Sequence, residues 1–230
     1  MSLDYWFPTI VYTEVLKPTP DILQSMLSHV DKFHSEHSTE YSVTGDTVNH
    51  YQIAQSPDFS WLNKEVAKYS HKYLEEYGLA IDKIDLYVQK AWPVVCDPSN
   101  RRYKDSTVIE PHQHLNAHLS AVYYLQTDTD AGGELTLHAS PTHPMRYVPF
   151  APFLKEVRLT NLDTAHYSPI PNQLILFPSS LEHEVSEYYG NLKRYSITYD
   201  IILTGKEDQS GDNEMCIINP KNWLEITPNG

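Results

Sequence analysis

Pro111-His112-Gln113-His114-Leu115-Asn116-Ala117-His118-Leu119-Ser120-Ala121-Val122-Tyr123-Tyr124-Leu125 is the stretch on which the reading of this chain turns. Its second half, residues 119–125, reads as a strand. Its first half holds His112 and His114, two positions apart. In extended chain, side chains at i and i+2 share a face, so both imidazoles can bind one metal ion from one segment. Alone, His-x-His is weak evidence, because a polar loop that happens to hold two histidines explains it equally well. Glu110 precedes His112 by two positions and is a rival third ligand, although Pro111 bends the chain between them.

Outward from this stretch the hydrophobic period changes once. Before it, the chain reads as helical. Thr19-Pro20-Asp21 offers an N-cap with proline in the first turn, and Ile22, Leu23, Met26, Leu27, Val30 and Phe33 follow at helical spacing. A second helix is expected from about Asp58, with Leu62, Val66, Tyr69, Tyr73 and Tyr77 on one face and Gly78 as its stop. After Gly78 the period becomes two: Ile84, Leu86 and Val88 alternate with Asp85, Tyr87 and Gln89. Strands are expected at 119–125, 134–138, 173–177 and 194–203, with Gly132-Gly133 turning between the first two. Prolines make 139–172 mostly irregular, with one strand around 155–160. The tail from Gly205 is polar, and Trp223, Leu224 and Ile226 are expected to dock it on the core. Short strands after a helical start suggest an α+β protein with an antiparallel sandwich or barrel at its centre.

Two further segments bear on chemistry. In Phe177-Pro178-Ser179-Ser180-Leu181-Glu182-His183 an apolar strand ends at proline, turns, and presents a histidine. Several strands can intervene between it and His112, so a barrel would bring them together. In Arg194-Tyr195-Ser196-Ile197-Thr198-Tyr199-Asp200 the alternation is sharp. Arg194, Ser196, Thr198 and Asp200 share one face. That face is either exposed to solvent, as is common in antiparallel sheets, or lines a pocket where the arginine grips a carboxylate.

Composition narrows the function classes. The chain has 230 residues, which suits a single domain, and 40% are hydrophobic, enough for a sizeable core. Its net charge of −13 disfavours generic binding to phosphate backbones. Two cysteines, Cys96 and Cys216, make neither a disulfide framework nor a zinc motif. The N-terminal segment lacks the pattern of a signal peptide, no window has the length of a membrane span, and a cytoplasmic location is expected.

Taken in order, these pieces resemble the 2-oxoglutarate/Fe(II)-dependent dioxygenase superfamily. The pattern is His-x-His, a Tyr-Tyr-Leu strand (123–125), Gly132-Gly133-Glu134, Phe177-Pro178, the distal His183, then Arg194-x-Ser196. The stretch from Pro111 is most similar to a bacterial and phage branch whose signature reads approximately P-H-x-H-x-x-x-x-L-S-x-V-Y-Y-L. Tyr123-Tyr124-Leu125 and Gly132-Gly133-Glu134 also resemble prolyl hydroxylases. The resemblance covers residues 84–203 and the short opening Trp6-Phe7-Pro8-Thr9.

The resemblance implies a double-stranded β-helix, or jelly-roll barrel, with N-terminal helices packed outside. It divides the single domain into a helical support (1–80), a catalytic core (81–204) and a tail (205–230). It implies Fe(II) bound by His112, His114 and His183, with His114 standing where most members have Asp or Glu. Arg194 would hold the distal carboxylate of 2-oxoglutarate, assisted by Ser196, Thr198 and Tyr124. The partners are then 2-oxoglutarate, O₂ and an unidentified substrate, which is hydroxylated. His118, His138, His143 and His166 are expected outside the metal site, in packing or surface positions. Two rival readings are a cupin-like metal enzyme without 2-oxoglutarate and a barrel that binds without catalysis.

Overall fold

A computed structural model of the chain describes residues 8–37, 43–44, 52–99, 108–140, 154–156, 158, 161–206 and 219–224. Helix α1 spans Pro20–His37, with Asp21 in its first turn and the Thr19 hydroxyl accepting from the Ile22 amide at 3.4 Å. It buries Met26, Val30 and Phe33, as the spacing predicts. Helix α2 spans Ser60–Glu76, beginning after a single 3-10 turn rather than at Asp58. It ends at Gly78, which takes φ +73° and donates to the Glu75 carbonyl, while Leu79 donates to Leu74. This is the glycine-closed helix end that a Cβ would disfavour. Tyr77, expected on the packed face, is exposed and bonds the Tyr73 hydroxyl instead.

Among the described residues ten strands follow one another as β1 (Tyr12–Val15), β2 (Val43–Thr44), β3 (Ile84–Cys96), β4 (Ile109–His112), β5 (Leu119–Gln126), β6 (Leu135–His138), β7 (Thr164–Tyr167), β8 (Gln173–Pro178), β9 (His183–Val185) and β10 (Arg194–Gly205). They pair antiparallel into a six-stranded sheet, ordered β1-β8-β5-β10-β3-β2, and a four-stranded sheet, β4-β9-β6-β7. The antiparallel sheets expected of a jelly roll are present, and neither is closed on itself. Among the described residues no hydrogen-bonded strand pair joins the sheets, and each keeps its own edges.

The molecule is layered. Residues on one face of the large sheet, including Ala121, Tyr123, Leu176, Ile197 and Tyr199, form a single core with Met26, Val30, Leu62 and Val66 of the helices. Residues on its other face, Val122, Tyr124, Ile175 and Phe177, pack on Leu135, Leu137 and Val185 of the small sheet. Strict alternation along β5 and β10 thus feeds both layers, and the helices lie on the side away from the small sheet.

Three expectations fail locally. β1 lies in the part read as helical and β7 in the part read as mostly irregular, because four residues are too few for a period to register. Trp223 and Leu224 are exposed, and it is Asn219 that is buried, accepting from the Tyr87 hydroxyl and donating to Asp85. Ile226, His143, Cys216, Trp6-Phe7 and half of 155–160 lie outside the described residues. No described helix is long and apolar enough to cross a membrane.

Candidate metal and 2-oxoglutarate site

The site sits between the sheets. His112 ends β4 and His183 opens β9, and the two are direct cross-strand partners, with ring centroids 4.2 Å apart. Their register depends on an irregularity at Glu110-Pro111, where two residues face one on β9. His114 lies past the end of β4, tied by its amide to the Ser179 carbonyl at 2.9 Å. Its ring centroid is 5.1 Å from each of the other two. One ligand nitrogen from each histidine falls within 4.8 Å of the others.

The opposite nitrogens are all engaged. His112 Nδ1 lies 2.8 Å from the Glu110 carbonyl and His183 Nδ1 lies 2.8 Å from the Leu181 carbonyl. A carbonyl only accepts, so each Nδ1 donates, and in the neutral ring Nε2 keeps its lone pair. His114 Nδ1 meets Asp200 Oδ1 at 2.6 Å. Fixing Nδ1 in this way is how proteins orient metal-binding imidazoles. His183 is pushed down to about 4, chiefly by burial and then by His112 and His114, against the pull of the Leu181 carbonyl. It is therefore neutral, and free to bind a cation, at neutral pH.

The large sheet supplies the rest. Arg194, Ser196, Thr198 and Asp200 are 1, 2, 8 and 3% exposed, so the polar face of β10 looks into the protein and not into solvent. With Tyr124, Trp92 and the three histidines they line a cavity of about 480 Å³. Arg194 lies over the Tyr124 ring at 5.2 Å and donates to Cys96 Sγ at 3.3 Å. Its Nε and the Tyr124 hydroxyl are buried without a hydrogen-bond partner among the described residues. Buried polar atoms left so are costly, and both flank the cavity.

Every site residue named from sequence lines this one cavity. Glu110 does not join: its side chain is exposed, and only its carbonyl reaches the site, through His112. His118 accepts from the Leu203 amide, His166 bonds Thr136, and His138 lies 3.2 Å from Glu184, so none joins the cluster. Two lining residues, Asp200 and Trp92, were missed, and so was Cys96 behind the lining. Asp200 was seen on the polar face but given no role. Trp92 stacks on His114 at 5.6 Å, and Cys96 backs Arg194. The fourth polar position in the Arg194–Asp200 alternation was the one available signal.

Residues 90–200 match a family model described as "Putative 2OG-Fe(II) oxygenase". Over these 111 of 230 residues the chain is a 2OG-Fe(II) oxygenase by family. The matched segment runs from β3 to the middle of β10 and contains all seven site residues. By this match the chain is an Fe(II)- and 2-oxoglutarate-dependent oxygenase. No curated protein sequence matches it. Solved structures share the fold. AviO1 from Streptomyces viridochromogenes Tue57 aligns over 84% of this chain and 90% of its own, with a TM-score of 0.55 and 11% identity. A prolyl hydroxylase from Trichoplax adhaerens, in complex with a hypoxia inducible factor oxygen degradation domain peptide fragment, aligns over 84% and 83%, with a TM-score of 0.52 and 15% identity. HygX from Streptomyces hygroscopicus, with nickel and 2-oxoglutarate bound, aligns over 84% and 82%, with a TM-score of 0.50 and 12% identity.

Proposed function

We propose that this 2OG-Fe(II) oxygenase is a hydroxylase whose sheets form an open-sided double-stranded β-helix. His112, His114 and His183 hold the iron, and Arg194 with Tyr124 receives the distal carboxylate of 2-oxoglutarate. The observation that carries this reading is the pairing, in one cavity, of three converging imidazoles with a buried arginine whose Nε has no partner. When bound, Fe(II) supplies the chemistry that couples decarboxylation of 2-oxoglutarate to succinate and CO₂ with insertion of one oxygen atom into a substrate C–H bond.

The protein's own contribution is to bind, orient and exclude water. Two backbone carbonyls and Asp200 hold the imidazoles with their second nitrogens turned inward. The Arg194 fork offers charge-assisted bonds to a carboxylate in a setting shielded from water, where such bonds are strong. Ser196 and Thr198 stand beside it on the same face of β10 and complete the polar lining. Val122, Leu135 and Val185, packed in the cluster between the sheets, give the cavity an apolar side. A reducing, cytoplasmic setting keeps iron ferrous and Cys96 in its thiol form. A cupin-like enzyme without 2-oxoglutarate would leave the unpaired Arg194 Nε without purpose.

Anaerobic addition of Fe(II) and then 2-oxoglutarate to the metal-free protein should produce a metal-to-ligand charge-transfer band. Admission of O₂ should then yield succinate. Iron binding with neither the band nor succinate would reject the assignment of Arg194 and favour the cupin-like reading.

A further inference from the structure

We infer that Asp200 is a positioning residue that acts through His114, returning to the iron the negative charge that the three-histidine ligand set lacks. The inference rests on the metal site proposed above. Three neutral imidazoles leave the centre one negative charge poorer than two histidines and a carboxylate, the set non-heme iron oxygenases of this kind use. The three histidines are not held alike. His112 and His183 give their Nδ1 protons to backbone carbonyls, whereas His114 alone faces a carboxylate.

That contact is short, 2.6 Å, and buried on both sides, His114 being 8% and Asp200 3% exposed. A charged acceptor in such a setting makes a stronger bond than a carbonyl does. It draws the Nδ1 proton toward itself and so raises the basicity of the distal nitrogen.

The surroundings support this role. Asp200 sits where the β3–β10 register shifts, between Asp200 and Ile201. The Ser120 hydroxyl lies 3.4 Å from the same Oδ1 and 3.0 Å from Ser179 Oγ, so the carboxylate is fixed from the β5 side. Trp92 stacks on the His114 ring, so that ring is held by Trp92 through its face and by Asp200 through its edge. Asp200 does not itself converge with the three candidate ligand nitrogens among the described residues. Its charge thus reaches the metal through the imidazole.

The test compares wild type, Asp200→Asn and Asp200→Glu, each alone and in a His114→Ala background, in the full chain under anaerobic conditions. The probes are Fe(II) alone for affinity and Fe(II) with 2-oxoglutarate for the charge-transfer band. Asparagine keeps an acceptor of nearly the same shape and removes only the charge. Asp200→Asn should lower Fe(II) affinity by roughly 10–100-fold and move the band to shorter wavelength, because the iron is less electron-rich. Asp200→Glu should keep the band near its wild-type position. In the His114→Ala background, Asp200→Asn should add no further effect. An unchanged band and affinity in Asp200→Asn, or a Glu variant that behaves like Asn, would overturn the inference. So would an Asn effect that persists without His114. Wild-type protein that binds no Fe(II) would overturn the metal site itself, and with it this inference.

Discussion

Arg194 heads the fully buried side chains by volume, an unusual place for a cation. A guanidinium is left there only where an anion meets it. Arg194→Ala is accordingly expected to weaken 2-oxoglutarate binding by ~2–5 kcal/mol while leaving Fe(II) affinity nearly intact. Titration of the charge-transfer band with 2-oxoglutarate gives both numbers. Arg194→Lys should fall between, because one ammonium replaces a planar fork. His114→Ala should lose iron without abolishing binding, since two histidines remain, whereas Glu110→Gln should be nearly silent. Iron occupancy after desalting checks this pair, and a silent His114→Ala would reject the three-histidine set. At this scale most of the site was legible from sequence, because His-x-His and the Arg194–Asp200 alternation obey the period-two rule. The partner of Asp200 was not legible, since nothing local in the sequence connects positions 114 and 200.

The elements place these residues through departures from regularity. The irregularity at Glu110-Pro111 brings His112 opposite His183, and a second shift between Tyr195 and Ser196 on β10 lies beside Arg194. The turn at Gly132-Gly133, expected from sequence, has a tighter purpose than a turn alone. Both glycines take positive φ, +73° and +70°. A Cβ on Gly133 would lie 3.1–3.2 Å from Arg194 Cδ and Nε and from the Tyr188 ring, and one on Gly132 would lie 2.1 Å from the Glu187 carbonyl. Gly132→Ala is therefore expected to destabilise the fold by about 1–3 kcal/mol or more, read as a lower urea midpoint. Gly133→Ala should in addition raise the 2-oxoglutarate concentration needed for half-saturation, because the strain falls on the arginine. An unaltered 2-oxoglutarate affinity in a folded Gly133→Ala protein would show that the arginine is not held from this side.

For the whole molecule, the division into layers separates support from chemistry. Leu62, fully buried in the helix–sheet core, lies in a different cluster from the apolar residues lining the site. Leu62→Ala should cost ~2–5 kcal/mol of stability, yet below the melting transition 2-oxoglutarate affinity should be unchanged. The metal-free fold should also weaken in acid. Burial holds His183 down at about 4, whereas in the unfolded chain a histidine titrates near 6.5. Its folded value is depressed, so the neutral-state contribution is complete above about 6.5 and is lost as pH falls toward about 4, by at most roughly 3 kcal/mol. Urea midpoints across that window, compared with those of His183→Gln, measure it. Equal slopes for both proteins would remove His183 as the cause.

What the sequence determined by itself is what local geometry carries. The helical spacing of Met26, Val30 and Phe33, the alternation along β5 and β10, and the two glycines before β6 are each written within a few neighbouring residues. The ordered histidines and arginine added the chemistry, because residue type at fixed spacing limits what a segment can hold. Only the tertiary structure decided how the strands divide into two sheets with open edges, since hydrogen-bond partners lie far apart in the chain and the period of a strand does not name its neighbour. It alone turned the polar face of β10 inward, a choice between solvent and cavity that alternation leaves open. It alone set Asp200 against His114. Their contact depends on His114 following β4 of one sheet while Asp200 stands on β10 of the other, a juxtaposition produced by packing the two sheets face to face.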